Sequence, residues 1–97
     1  MPAFEWDEKK ARQNQAKHKV SFELAKLAFD DPFQLNDFER TVRGEDRFQT
    51  LAMVGNVVLF VAHSYRKNEH GEEVIRIISA RKATLKERRE YHRRAGG

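Results

Sequence analysis

The sequence predicts an α+β fold: an antiparallel sheet meander preceded by two helices and followed by a third. Three observations predict it. Residues 7–29 combine capping side chains with helical spacing of apolar residues, the runs 47–54, 57–65 and 74–81 are strand-like and separated by turn residues, and Thr84-Leu85-Lys86-Glu87 has the form of a capping box. The first helix is placed at 7–17, with Asp7 as its cap and Trp6 positioned to pack on Ala11 as a hydrophobic staple. Only Ala11 and Ala16 are apolar in its interior, so contacts from Phe4 and Trp6 must hold it. Ser21 caps a second helix, 21–29, in which Phe22, Ala25 and Phe29 recur at helical spacing beside Leu24, Leu27 and Ala28. Asp30-Asp31-Pro32 ends it, because a residue before proline is pushed out of the helical region.

Phe33, Leu35 and Phe38 settle on no single face, so 33–46 is expected to be a loop or an irregular edge strand. Gly55-Asn56 suits a two-residue hairpin turn between the first two strands, and Gly71 lets the polar turn 67–73 reverse the chain before the third. The run 57–62 is apolar on both faces. It is expected to be the central strand, covered by the N-terminal helices on one side and partly covered on the other. The last helix, 85–95, is closed by Gly96-Gly97 and offers a core little beyond Leu85, Tyr91 and Ala95.

A chain of 97 residues fits one domain, 1–97, with 39% hydrophobic and 35% charged residues. No apolar run is long enough to span a bilayer, and Glu5, Asp7 and Glu8 stand where a secretory signal would be basic and then apolar, so the cytoplasm is the expected location. The absence of cysteine excludes disulfides, thiol nucleophiles and thiolate zinc sites. Charge is segregated along the chain. Residues 81–97 hold Arg81, Lys82, Lys86, Arg88, Arg89, Arg93 and Arg94 against two acids, 9–19 hold five basic groups and no acid, and 30–46 hold six acids against two arginines. Such asymmetry suits either a polyanion partner or two solvated helix faces.

There is no glycine-rich phosphate loop and no histidine pair at ligand spacing: His18, His63, His70 and His92 are scattered, so neither a metal nor a cofactor is expected. Strict alternation over 74–81 puts Val74, Arg76, Ile78 and Ala80 on one face, and Ile75, Ile77, Ser79 and Arg81 on the other. Arg76, among apolar neighbours, needs either a carboxylate such as Glu39, Glu45 or Asp46, or a phosphate. His63 shares a face with Val57, Leu59, Val61 and Tyr65, as a neutral core histidine or as an acid–base group at the sheet end. Arginines, a histidine and a tyrosine without metal ligands suit metal-independent RNA cleavage, in which the 2′-hydroxyl is the nucleophile and the protein stabilises the phosphorane.

Phe4-Glu5-Trp6-Asp7 with Lys10-Ala11, Asn14, Lys17-His18, Val20-Ser21-Phe22-Glu23 and Asp31-Pro32 resembles the opening of the BrnT family of bacterial toxin–antitoxin toxins. Gly44-Glu45-Asp46-Arg47-Phe48, and Arg76-Ile77-Ile78-Ser79-Ala80-Arg81-Lys82-Ala83-Thr84 with Glu87-Arg88 and Tyr91, resemble its C-terminal half. Lys19 departs from the pattern, standing where the family usually has glycine. The resemblance implies a RelE-like ribonuclease fold, RNA as substrate, translation arrest, and a hetero-oligomer with a BrnA-type ribbon-helix-helix antitoxin through which alone DNA is reached. It makes Arg47, Arg76 and Arg81 candidates for phosphate binding and Tyr91 and His63 candidates for proton transfer. Lys17, His18, Lys82 and Arg88 are the expected RNA contacts, Lys17 and His18 alternatively serving the helix–helix turn or antitoxin binding. Tyr91 alternatively only anchors its helix. A non-catalytic nucleic-acid-binding or antitoxin-docking domain is the other reading of the same features.

Overall fold

A computed structural model describes residues 2–95. In chain order it contains β1 (Ala3–Glu5), α1 (Glu8–His18), α2 (Phe22–Lys26), β2 (Leu35–Val42), β3 (Glu45–Val54), β4 (Val57–Lys67), β5 (Glu73–Lys82) and α3 (Leu85–Arg94), with a 3-10 turn, Leu27–Asp30, extending α2. The five strands form one sheet in the order β1-β5-β4-β3-β2. The antiparallel meander is therefore β2 to β5 only. β1 adds to the edge of β5 in parallel, pairing Glu5 with Arg76, which makes the sheet mixed. A strand of three residues has too little pattern to show in sequence.

The segment 33–46, expected as a loop or irregular edge strand, is mostly strand β2. It joins β3 through the two-residue turn Arg43-Gly44, in which both residues have positive φ. Leu35 and Phe38 stand in unbroken register opposite Leu51 and Phe48, and their odd separation puts them on opposite faces; a register shift follows between Phe38 and Arg40. The Gly55-Asn56 hairpin forms as expected, with Val54 opposite Val57. The second helix is shorter than the expected 21–29, its last turn tightening to 3-10 before Pro32. The closing Gly96-Gly97 lies outside the described residues.

Each helix start carries the expected cap: Asp7 accepts from the amides of Lys9 and Lys10, Ser21 from Leu24, and Thr84 with Glu87 completes the capping box. At the end of α1, Lys19 is left-handed (φ 61°), the conformation that glycine adopts most readily. Val20, Phe22, Ala25 and Ala28 pack on Ala52, Leu59, Val61, Ile77 and Ala80, so α2 with its 3-10 extension covers one face of the sheet, with β4 at its centre. On the other face Leu51, Val58 and Tyr91 form a second cluster with Leu35, Met53 and Phe60, so α3 covers only one end.

α1 runs beside β5, past the end of β1. The buried Asn14 amide donates to the carbonyls of Ala80 (2.8 Å) and Val20 (2.9 Å), and its oxygen accepts from the Ala80 amide (3.1 Å). One side chain thus pairs with the strand edge as a neighbouring strand would.

Candidate functional site

Cross-strand rows assemble the site. Arg47 lies opposite Ser64, and Ser64 opposite Arg76, so both arginines project from the face that α3 leaves open. The next row is Gln49, Ala62 and Ser79, and the one beyond is Leu51, Phe60 and Arg81. This layout corrects the strict alternation expected for 74–81. Ala62 pairs with Ser79 but His63 pairs with Ile77, so Ile78 is a bulge residue without a partner on β4. Arg76 and Arg81, placed on opposite faces by simple counting, share one face because of it.

Arg47 and Arg76 line a cleft of about 180 Å³ together with Asp7, Lys10, Glu45, Ile77 and Ile78. Among the described residues Arg76 makes no ion pair; neither Glu39, Glu45 nor Asp46 takes it. Arg47 has only Glu45, at 3.7 Å from its Nε, too far for a hydrogen bond, and that Nε is buried without a hydrogen-bond partner among the described residues. Lys10 arrives from the first turn of α1. Its place in the cleft was not singled out from sequence, although the acid-free run 9–19 was the signal for it. Three cations thus face one concavity whose acids, Asp7 and Glu45, are both exposed. Asp7 is held below the usual carboxylate range chiefly by the Lys10 amide, with the Lys9 amide, Lys10 and Arg76 adding to it.

The other expected catalytic groups lie elsewhere. Arg81 is half-buried and engaged: its fork meets both Glu87 oxygens (2.7 and 3.0 Å), and its guanidinium lies 4.1 Å from the Phe60 ring centre. The Glu87 hydrogen bond raises the Arg81 pKa further, while Arg81 foremost, with Thr84, lowers that of Glu87. His63 is fully buried on the helix-covered face, among Phe29, Phe48 and Tyr65. Thr50 gives its hydroxyl proton to Asn36, an arrangement that suits a His63 Nε2 proton on Thr50 Oγ1 (2.7 Å), and Nδ1 has no partner among the described residues. Burial lowers the His63 pKa to about 4, so the ring is neutral at neutral pH. Tyr91 is buried and donates its hydroxyl to Asp31 at 2.5 Å. Burial, then Asp31, pushes its pKa up to about 12.

Lys17 and His18 fall at the far end of α1, Lys82 at the exposed end of β5 and Arg88 on the exposed face of α3; none of them lines the cleft. Among the described residues no three His, Cys, Asp or Glu side chains gather in a metal-holding group, and no helix is long and apolar enough to cross a membrane.

Fold and cleft define the class: a small α+β protein with a mixed sheet, one covered face and a guanidinium-lined concavity on the other. Over residues 6–87 the chain matches the family model described as the ribonuclease toxin, BrnT, of type II toxin–antitoxin systems. The protein belongs to that family, which brings with it RNA as substrate and an antitoxin as partner. Among curated proteins none matches the chain.

Proposed function

We propose that the protein is an endoribonuclease that cuts RNA without a metal ion, arrests translation in the cytoplasm, and is neutralised by a BrnA-type ribbon-helix-helix antitoxin, through which alone it meets DNA. The observation that carries the catalytic part is the arginine row: two guanidinium groups on one sheet face, one of them with a buried and unpartnered Nε, converging on a cleft that Lys10 completes. A phosphate is the ligand that such donors lack, since each planar fork matches two of its oxygens. In the reaction the 2′-oxygen loses its proton and attacks phosphorus, the bond from phosphorus to the 5′-oxygen breaks, and that oxygen takes up a proton. A 2′,3′-cyclic phosphate and a 5′-hydroxyl result. Arg47 and Arg76 stabilise the charge that grows on the phosphorane oxygens. In this reading Asp7 and Glu45, the two carboxylates that line the cleft, take up the 2′ proton in place of His63 and Tyr91. Arg81 reaches a phosphate only by releasing Glu87.

The test is incubation of purified protein with free RNA in chelator. Cleavage with cyclic phosphate ends, lost in Arg76→Ala, is the expected result; activity abolished by chelator and restored by a divalent ion contradicts it. Withdrawal of His63 and Tyr91 from the cleft favours a second reading, a domain that binds RNA without cutting it. Binding that depends on Arg76 without any product, on free RNA or on ribosomes, selects that reading.

A further inference from the structure

Beside the arginine row lies a second concavity, of about 400 Å³, between α3 and the open sheet face. Its floor is Gln49, Leu51 and Phe60, and Asp37, Glu87 and Glu90 stand around it. The register fixes its place. Gln49 is one row from Arg47, and Phe60 with Arg81 one row further, each step about 7 Å along the strands. That is the reach from a bound phosphate to the base of the same or the next nucleotide.

The chemistry differs from that of the cleft. Asp37 is paired with Arg94, Glu87 with Arg81 and Glu90 with Arg93, so of the lining charges only Lys86 stands outside an ion pair among the described residues, and the three carboxylates make these walls less favourable to a phosphate than the arginine cleft. What they accept is an N–H. The Gln49 side-chain amide takes part in no hydrogen bond among the described residues, so both its N–H donors and its oxygen acceptor are free over an apolar floor. The Phe60 ring, already carrying the Arg81 guanidinium on it, adds a flat platform. An amide that gives one proton and takes another matches the N7 and N6 edge of adenine, the usual partner of glutamine among the bases.

We propose that this concavity is a nucleobase subsite that selects adenine next to the phosphate held by Arg47 and Arg76, with Gln49 reading the base and Phe60 supporting it. The proposal rests on the ribonuclease reading, because it takes the arginine row as the phosphate anchor.

The experiment measures binding of the full chain to 2′-O-methyl oligonucleotides, which cannot be cut because the nucleophile is blocked. Oligo(A), oligo(U) and mixed sequences with one A or U at each position in turn are titrated by fluorescence anisotropy against wild type, Gln49→Leu, Phe60→Leu and Arg76→Ala. The expected result is about tenfold preference for A over U at one position, reduced to near parity in Gln49→Leu at unchanged melting temperature, with Arg76→Ala weakening all sequences alike. Binding that needs Arg76 but shows no base preference overturns the subsite and leaves the phosphate anchor standing. A preference untouched by both Gln49→Leu and Phe60→Leu likewise removes it. Failure of wild type to bind any of the oligonucleotides overturns both readings.

Discussion

Among the described residues no carboxylate forms an ion pair with Arg76, whereas Arg81, five residues later on the same face, is held at both ends of its fork by Glu87. Their substitutions should therefore separate. Arg76→Ala is expected to lower cleavage about 100-fold with no loss of melting temperature, since it removes charge stabilisation from an open cleft, whereas Arg81→Ala should also destabilise the docking of α3. Cleavage assays paired with thermal melts check this. Lys19→Gly is expected to stabilise the protein by about 1 kcal/mol in urea unfolding, because a left-handed residue with a Cβ is strained where glycine is not. Tyr91→Phe keeps the ring but strips Asp31 of a hydrogen bond, so it should cost about 1.5 kcal/mol while cleavage persists. His63 sets a pH dependence. Its folded pKa, about 4, lies below the ordinary value of 6.5, so the neutral ring contributes stability that is fully present above pH 6.5 and is lost as pH falls toward 4. The slope is at most about 1.4 kcal/mol per pH unit, or roughly 3 kcal/mol in all. Urea titrations at several pH values should show wild type steeper than His63→Gln over that window.

At the scale of elements, Asn14 joins three pieces of chain: α1 that carries it, the entry to α2 at Val20, and the edge of β5 at Ala80. Asn14→Ala strands three buried backbone groups and is expected to cost about 3 kcal/mol, with hydrogen exchange rising first in β5 near Ala80. Asn14 belongs to the residues that carry the family resemblance, but no local pattern reveals its role, because two of its three bonds go to Ala80, 66 residues away. Local signals were legible where the physics is local: Asp7, Ser21 and the Thr84–Glu87 box mark helix starts, and Gly55-Asn56 marks a turn, since each acts on groups within a few residues. Pairing between distant segments was not. β1 is defined by Val74 to Arg76 rather than by itself, and β2 by the Arg43-Gly44 turn and its bulge. For the site, arginine chemistry pointed to Arg47 and Arg76, but the burial that removes His63 and Tyr91 from it depends on which face each strand presents.

For the molecule as a whole, the charge segregation seen along the chain acquires a geometry. The basic run 9–19 lies along the edge of β5, where Lys10 reaches the cleft, and the basic helix α3 covers one end of the open face. RNA binding should weaken with salt, and removing Lys10, Arg47 or Arg76 singly should lower the slope of log affinity against log salt by about one in each case. An antitoxin with an acidic or amphipathic segment is expected to cover part of 9–19 or 81–94, with encounter rates that fall as salt rises. Hydrogen exchange on the complex checks this, and a complex in which neither segment gains protection would defeat it.

The unpaired Ile78 makes the spacing between Arg76 and Arg81 a matter of odd and even. The two halves of β5 present their arginines in phase only because one surplus residue lies between them. Shape at this position is therefore secondary to count: Ile78→Val should leave the cleft intact, whereas deletion of Ile78, the smallest possible shortening, would turn one half of the strand over and carry either Arg76 or Arg81 to the helix-covered side. A chain built this way tolerates substitution at Ile78 far better than a change of length there, and a library of single-residue deletions through β5, scored for cleavage, should show its lowest tolerance across 77–80, where every deletion shortens the spacing from Arg76 to Arg81 by one.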